Sequence, residues 1–213
     1  MTPEIAIQLA LALPLTAAVL TGVFGRWPNV RESLTLLSSA VLFGTMAWLA
    51  PRVCDGGRPA VTLFDVMPGL AIALEVEPLG MLFALVASGL WIVTTCYSIG
   101  YMRAHNEQHQ TRYYTCFAVA ILAAMGAALA KNMFTLFVFY ELMTISTYPL
   151  VTHHGTERAR NGGRVYLGIL LFTSIAFLLL AVVWTWIIAG TLDFKPGGIL
   201  EGKASPNMML VLL

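Results

Sequence analysis

The chain has 213 residues, of which 58% are hydrophobic and 11% are charged, and its formal net charge is +1. Soluble domains carry about 25% charged residues, so this composition indicates an integral membrane protein surrounded by a lipid bilayer. The near-neutral charge provides no basic face for nucleic acid and no acidic tail, so the composition suggests neither class of partner.

Hydrophobic runs long enough to cross a bilayer recur along the sequence. A hydrocarbon core about 30 Å thick needs about 20 apolar residues per helix. Short polar connections between the runs predict an all-α, polytopic helix bundle that forms a single transmembrane domain, 1–213. Six complete spans and the start of a seventh are predicted, at roughly 4–25, 32–50, 78–101, 113–130, 132–152, 164–189 and 206–213.

The longest connection, 51–77, differs from the others in its pattern. Two apolar segments, Val61–Phe64 and Ala71–Glu77, flank the turn signal Met67-Pro68-Gly69. Segments of this kind on either side of a Pro-Gly turn predict a small external β-hairpin. An irregular loop is the alternative that the sequence leaves open.

The distribution of Lys and Arg predicts the orientation, because positively charged loops tend to stay in the cytoplasm. The larger group of basic residues sits in compact loops, which places those loops in the cytoplasm and the amino terminus outside. With six spans, that group is Arg26, Arg31, Arg103, Arg112, Arg158, Arg160 and Arg164, and the opposite group is Arg52, Arg58, Lys131, Lys195 and Lys203.

Glu141 lies near the middle of an otherwise uncharged run, Asn132–Val151. At 1.5 Å per residue it is about 14 Å from Asn132, close to the bilayer midplane. An acidic side chain there costs about 3 kcal/mol, so such residues usually face a bundle interior or an ion path. We therefore predict that Glu141 takes part in proton transfer, and packing through a hydrogen bond is the alternative.

The helical period places hydroxyl groups on the same face as Glu141. Thr144, Tyr148 and Thr152 follow it at helical spacing, and Pro149 removes one backbone donor within the same helix. This stripe is predicted to line water. His153 and His154 end the span, where either could shuttle protons, although an ordinary interfacial histidine pair is the alternative reading.

Other candidate groups fit simpler roles. Lys131 and Lys203 are predicted to be interfacial or solvated and not partners of Glu141. His105 and His109 would share a metal ion only if their loop were helical and a further ligand were added. We predict no metal site, no cofactor and no catalytic centre within the chain.

The sequence around Glu141 resembles the fifth transmembrane helix of the antiporter-like membrane subunits. Lys131–Thr144 reads KNMFTLFVFYELMT and is followed by Ser146, Tyr148 and Leu150. Supporting segments are Tyr97–Met102 and Gly163–Leu167. The family comprises the proton-pumping membrane subunits of NADH:quinone oxidoreductase and the large subunits of Mrp-type sodium/proton antiporters. The run Glu-Leu-Met-Thr is most similar to the D branch of the Mrp antiporter subunits.

This resemblance implies a fold of fourteen helices with two inverted five-helix repeats. The chain would supply the introductory helices and hairpin loop over 1–112 and an incomplete first repeat over 113–213. Glu141 matches the family's essential glutamate, which is thought to pair with a lysine on the seventh helix. That lysine would lie beyond Leu213, so we expect an amino-terminal fragment or one piece of a split subunit.

The expected function is that of a subunit of a multisubunit monovalent cation/proton antiporter in a bacterial inner membrane. Its expected partners are other membrane subunits and protons, with sodium ions as an open alternative. A proton-pumping membrane-arm subunit of an NADH:quinone oxidoreductase or a related hydrogenase complex is the second interpretation. A structural or inactive fragment is the third.

Overall fold

The computed structural model describes residues 1–203, and six of its helical segments are long and apolar enough to cross a membrane. The predicted polytopic bundle is therefore confirmed, whereas the predicted seventh segment, 206–213, lies outside the described residues. The helices are α1 (Pro3–Val23), α2 (Pro28–Cys54), α3 (Pro78–Ala104), α4 (Gln110–Ala128), α5 (Met133–Val151), α6 (Glu157–Thr173) and α7 (Leu180–Ala189).

The sixth span begins seven residues earlier than residue 164, where the sequence placed its start. The hydroxyl oxygen of Thr156 accepts a hydrogen bond from the backbone N–H of Ala159 at 3.1 Å, and Glu157 lies in the first turn. An N-terminal hydroxyl cap and an acidic first turn both stabilise a helix start. The span thus extends out of its apolar stretch into the polar connection before it.

A π-helical turn, Ser174–Leu179, joins α6 to α7 within the sixth span. The side chain of Thr173 donates to the carbonyl oxygen of Ile169 at 2.9 Å, and that of Ser174 donates to Leu170 at 3.0 Å. Hydroxyls that bond back to the preceding turn compete with the regular helical pattern. This local widening of the helix contacts α5.

The predicted hairpin is confirmed: strands β1 (Ala60–Met67) and β2 (Leu70–Glu75) are antiparallel. Gly69 has φ +83° and follows Pro68, the order that a type II turn requires. The β2 strand is mostly buried, whereas β1 is exposed along almost its whole length. The hairpin therefore lies on the bundle with β2 inward.

The second edge of β2 pairs with the link between α4 and α5, which we call the α4–α5 link (residues 129–132). Backbone N–H groups of Glu75 and Lys131 donate to the carbonyl oxygens of Leu129 and Ala73 at 2.8 and 3.0 Å. On the other side of the link, the backbone N–H of Phe194 donates a hydrogen bond to the carbonyl oxygen of Lys131 at 3.1 Å. The segments 70–75, 129–132 and 192–194 are thus held at one end of the bundle.

Helix packing relies on small residues. In a bilayer the hydrophobic effect does not drive helices together, so close approach and dispersion matter more. On α1, Ala6, Ala10 and Ala17 are fully buried, and α1 packs on α2 and α4. Between α4 and α5, Gly126 lies directly against the ring of Phe139, with no space for a Cβ atom.

The contact at Gly126 gives the first testable prediction. Gly126→Ala forces the ring of Phe139 to move, and overpacking of this kind costs about 1–3 kcal/mol. We expect a lower thermal unfolding temperature in detergent. Gly100→Ala is the matched control, because nothing lies within 4 Å of its added Cβ and alanine is the better helix former. Equal stabilities of the two variants would contradict the close packing of α4 on α5.

Candidate functional site

Glu141 lies in the middle of α5, whose first turn is fixed by Asn132. The side-chain Oδ1 of Asn132 accepts a hydrogen bond from the N–H of Thr135 at 2.7 Å, and its Nδ2 donates to the carbonyl of Ala71 at 3.0 Å. Within residues 1–203, Oε1 of Glu141 is buried and has no hydrogen-bond partner. A buried carboxylate oxygen without a donor is costly, which sets Glu141 apart from ordinary packing residues.

The face of α5 that carries Glu141 points away from α4. Phe139, which packs on α4, is two positions earlier, or about 200° around the helix. Tyr148 and Thr152 share the face of Glu141 and lie against Gly163 of α6. The last two residues of the predicted stripe, Tyr148 and Thr152, therefore face the sixth span.

Two hydroxyl groups of the stripe donate to their own helix. Thr144 Oγ1 donates to the carbonyl of Tyr140 at 3.1 Å, and Thr152 Oγ1 donates to the carbonyl of Tyr148 at 2.9 Å. Because a hydroxyl has one donor and two acceptor sites, these groups offer acceptors to whatever occupies the face. Acceptors suit water or a hydrated proton better than they suit an anion.

Neither lysine considered from the sequence lies beside Glu141. Lys131 Nζ is 3.6 Å from Oε2 of Glu75, an ion pair at the end of the bundle that carries the hairpin. Lys203 Nζ donates to the carbonyl of Ala189 at 2.5 Å, at the carboxyl end of α7. Both cations are occupied about half a span away from the carboxylate.

A groove of about 310 Å³ opens beside the other end of α5. His153 and His154 line it together with residues of α3 and α4, namely Thr94, Tyr97, Ser98, Tyr101, Met102 and Tyr113, and with Glu107 and Leu150. The Tyr113 and Ser98 hydroxyl groups are 2.8 Å apart. The rings of His153 and Tyr113 meet edge to face, with centroids 6.0 Å apart.

The two histidines of this groove differ in environment. Both ring nitrogens of His153 are buried and have no hydrogen-bond partner in the described part of the chain, whereas His154 is exposed. Burial and then the nearby Arg112 lower the pKa of His153 below its ordinary 6.5. Neutral His153 is therefore the favoured form, with one nitrogen able to accept a proton.

His105 and His109 lie in the connection between α3 and α4. The connection is not helical, because α3 ends at Ala104 and α4 begins at Gln110. His105 stacks on Tyr101 with ring centroids 4.3 Å apart. The helical loop on which a shared metal would depend is thus not formed.

A buried ionic cluster, which the sequence did not predict, lies at the same end of the bundle as the groove lined by His153 and His154. Arg31 and Glu32 lie near the start of α2, and their side chains are only 4% and 5% exposed. Arg103, in the last turn of α3, binds the Glu32 carboxylate through Nε at 3.2 Å and through Nη2. Glu32 falls at the edge of the predicted second span, and an acidic residue at a span boundary was the signal that could have revealed it.

The cluster ties α2, α3 and α4 together and reaches the turn between α1 and α2. Arg31 donates to Gln110 Oε1 at 2.7 Å and to Thr111 Oγ1 at 3.0 Å, and its guanidinium lies 4.9 Å from the ring centroid of Tyr114. Thr111 in turn donates to the carbonyl of Gly25 at 3.1 Å. A desolvated network of this kind stabilises only when its members are all present.

The fold defines a class: multi-pass membrane proteins built like the antiporter-like subunits. Two solved structures share the fold. The Mrp complex from Dietzia sp. DQ12-45-1b contains a chain with a TM-score of 0.77 and 22% identity, which covers 91% of this chain and 36% of that one. The second structure is the membrane-bound sulfane sulfur reductase, an archaeal respiratory membrane complex. A chain of it matches with a TM-score of 0.72 and 22% identity, over 89% of this chain and 38% of that one.

Sequence comparisons agree. Residues 130–213 match the family described as NADH:quinone oxidoreductase/Mrp antiporter, TM. The D-type Na(+)/H(+) antiporter subunit of Alkalihalophilus pseudofirmus is 23% identical over 202 residues, which are 95% of this chain and 40% of that protein. A Staphylococcus aureus Na(+)/H(+) antiporter subunit A1 is 28% identical over 178 residues, which are 81% of this chain and 22% of that protein.

These comparisons confirm the resemblance: the chain is similar in sequence to Na(+)/H(+) antiporter subunits over most of its length, and its last part matches the NADH:quinone oxidoreductase/Mrp antiporter family model. It spans between about a fifth and two fifths of the length of these two relatives.

The lowered pKa of His153 predicts a pH dependence of stability. The unfolded chain protonates His153 as the pH falls through 6.5, whereas the folded chain resists, so stability is full above that pH and decreases below it. His153→Phe should flatten thermal stability between about pH 6.5 and 5. His154→Phe, at the exposed neighbour, is the control and should keep the wild-type curve. Parallel curves for His153→Phe and the wild type would show that His153 is not held neutral.

The ionic cluster predicts a large effect from a small change. Glu32→Gln leaves the buried Arg31 and the adjacent Arg103 without their carboxylate, and breaking such a pair costs about 3 kcal/mol or more. We expect a strongly lowered thermal unfolding temperature in detergent. The exposed Glu4→Gln is the control, with a cost of less than about 1 kcal/mol. Similar losses in the two variants would argue against a stabilising role for the cluster.

Proposed function

We propose that this chain is part of a subunit of a multisubunit monovalent cation/proton antiporter, and that Glu141 carries the transported proton. One observation supports this most: a carboxylate oxygen is buried in the middle of a membrane helix without a donor among the described residues. Structural carboxylates in membranes are normally paired, as Glu32 is here. A carboxylate left unpaired can bind a proton and release it.

The proton reaches Glu141 from the groove at the end of α5. Twelve positions separate Glu141 from His153, or about 18 Å along the helix, so transfer requires intervening water. Thr144, Tyr148 and Thr152 lie between them on one face and provide oxygen acceptors for that water. The exposed His154 captures the proton from solvent, and His153, which its surroundings keep neutral, holds the proton only in passing on its way to that water.

The position of the π-helical turn fits this route. It contacts α5 from the sixth span, the side on which the Glu141 stripe lies. A π-helical turn leaves a carbonyl out of the regular pattern and often occurs where a membrane helix has a functional role. In this arrangement α6 and the turn form the second wall of the proton route.

The remaining assignments rest on the family resemblance and, for the orientation, on the distribution of Lys and Arg. Residues 1–112 act as introductory helices with the hairpin loop, and 113–213 form part of the first antiporter-like repeat. The chain works with other membrane subunits in a bacterial inner membrane, with its amino terminus outside, and exchanges protons for monovalent cations such as sodium.

Redox-driven proton pumping is the second candidate. The fold of the sulfane sulfur reductase chain, described as part of a respiratory membrane complex, matches at a TM-score of 0.72. In that case Glu141 keeps its role, and a partner subunit supplies redox energy in place of a cation gradient. Dependence of proton movement on added sodium, measured in everted vesicles, separates the two.

The proposal is tested by Glu141→Gln in the assembled complex. Glutamine keeps the shape of the side chain but cannot carry a proton, so ion-coupled proton movement should fall to the level of vesicles without the complex. Fluorescence quenching of a pH-sensitive dye in everted membrane vesicles measures this.

The exposed Glu77→Gln is the matched control and should retain transport. Assembly is checked by copurification of the partner subunits. Wild-type transport by a normally assembled Glu141→Gln complex would overturn the proposal and leave Glu141 with a packing role.

A further inference from the structure

Two adjoining cavities form a groove on the outer surface of α2 and α3, beside the ionic cluster. The cavity at Arg103, of about 210 Å³, is lined by Asn29, Glu32, Ser33, Leu36, Ile99 and Arg103. The apolar cavity, of about 320 Å³, is lined by Asn29, Val30, Ser33, Leu34 and Leu37. Asn29 and Ser33 line both cavities, so the two cavities adjoin along α2, and we call them together the α2–α3 groove.

The head of the groove is cationic. Two guanidinium groups, Arg31 and Arg103, face the single carboxylate of Glu32, which leaves the cluster with a net charge of +1. Arg31 is buried, but the Arg103 side chain is 49% exposed. The excess positive charge is therefore presented at Arg103.

Arg103 is also held in a fixed position. Its Nε and Nη2 atoms bind the buried Glu32, and Nη2 also donates to Asn29 Oδ1 at 2.6 Å. These bonds leave the two N–H donors of Nη1 available. A rigid, partly exposed guanidinium is well suited to a phosphate group, since little entropy is lost when it binds.

The rest of the groove is apolar and faces lipid. Val30 and Leu37 are 42% and 63% exposed, and Asn29 and Leu37 are about 12 Å apart along α2. Arg103 is in the last turn of α3 and Asn29 in the first turn of α2, so the cationic head lies at the end of both spans. A phosphate at the membrane surface with an acyl chain running inward has this same arrangement of charge and apolar length.

We propose that the α2–α3 groove binds an anionic phospholipid, with its phosphate on Arg103 and one acyl chain along Leu34 and Leu37. This lipid supplies the negative charge that the cluster lacks. It therefore reinforces the junction of α2 and α3 at the membrane surface.

The test uses native mass spectrometry of the purified full-length protein in detergent, with phosphatidylglycerol or phosphatidylcholine of identical acyl chains. Phosphatidylglycerol should bind about fivefold more tightly, the difference expected for one basic side chain at a membrane surface. Arg103→Gln should remove this preference, and Arg103→Lys should retain part of it. The exposed Arg158→Gln, a change of charge away from the groove, should leave it unaltered.

A second variant keeps the test valid if Arg103→Gln does not fold. Ser33→Trp fills the groove while it leaves the bonds of Arg103 intact, and it should weaken phosphatidylglycerol binding. The control is Ala40→Trp, at an exposed position farther along α2 that lines neither cavity.

Three results would overturn the proposal. The first is equal binding of the two lipids by the wild-type protein. The second is equally effective competition by inorganic phosphate at the same concentration, which would indicate an ion site without a lipid chain. The third is an assembled complex in which Ser33→Trp releases no lipid, which would indicate that a partner subunit covers the groove. None of these bears on proton transport through Glu141.

Discussion

The main-chain pairing of the α4–α5 link positions α5 relative to the hairpin and to the segment after the sixth span. Residues 129–132 bond to β2 on one side and to 192–194 on the other, and the last residue of the link, Asn132, also caps α5. The start of α5 is therefore fixed in height and rotation by the hairpin and by the chain that follows the sixth span. Because a helix is rigid, this fixes Glu141 about 14 Å farther on, together with the face that it presents to α6. The hairpin is thus part of the scaffold for the carboxylate.

Glu32 and Glu141, two acidic residues within membrane helices, show opposite solutions to one problem. A carboxylate taken out of water needs donors or a cation, since burial without them is costly. Glu32 has both, from Arg103 and Arg31, and becomes a junction between helices. Glu141 has a buried oxygen with no donor within residues 1–203. The contrast within one chain supports assigning structure to the first and proton handling to the second.

The sequence predicted what depends on hydrophobic length and local turn chemistry. Six spans follow from apolar runs, and the hairpin follows from Pro68-Gly69 between two apolar strands. Glu141 could be found because one charge in a long apolar helix is conspicuous.

The earlier start of α6 and the π-helical turn were missed because caps and back-bonding hydroxyls act over a few residues and leave the hydropathy unchanged. The ionic cluster was missed because Arg31, Arg103 and Gln110 are far apart in the chain and meet only through tertiary packing. Whether His153 and the hydroxyl stripe serve transport stays a prediction.

The α4–α5 link has a consequence for how such proteins diverge. Its bonds to β2 and to 192–194 are made by amide and carbonyl groups that nearly every residue type possesses, so replacing a side chain there leaves them in place. Only proline, which lacks the N–H, would break one at Glu75, Lys131, Met133 or Phe194. Main-chain pairing of this kind can persist while the side chains of the paired residues change during evolution. It thus offers one physical reason why chains that are only 22% identical superpose with TM-scores of 0.72 and 0.77.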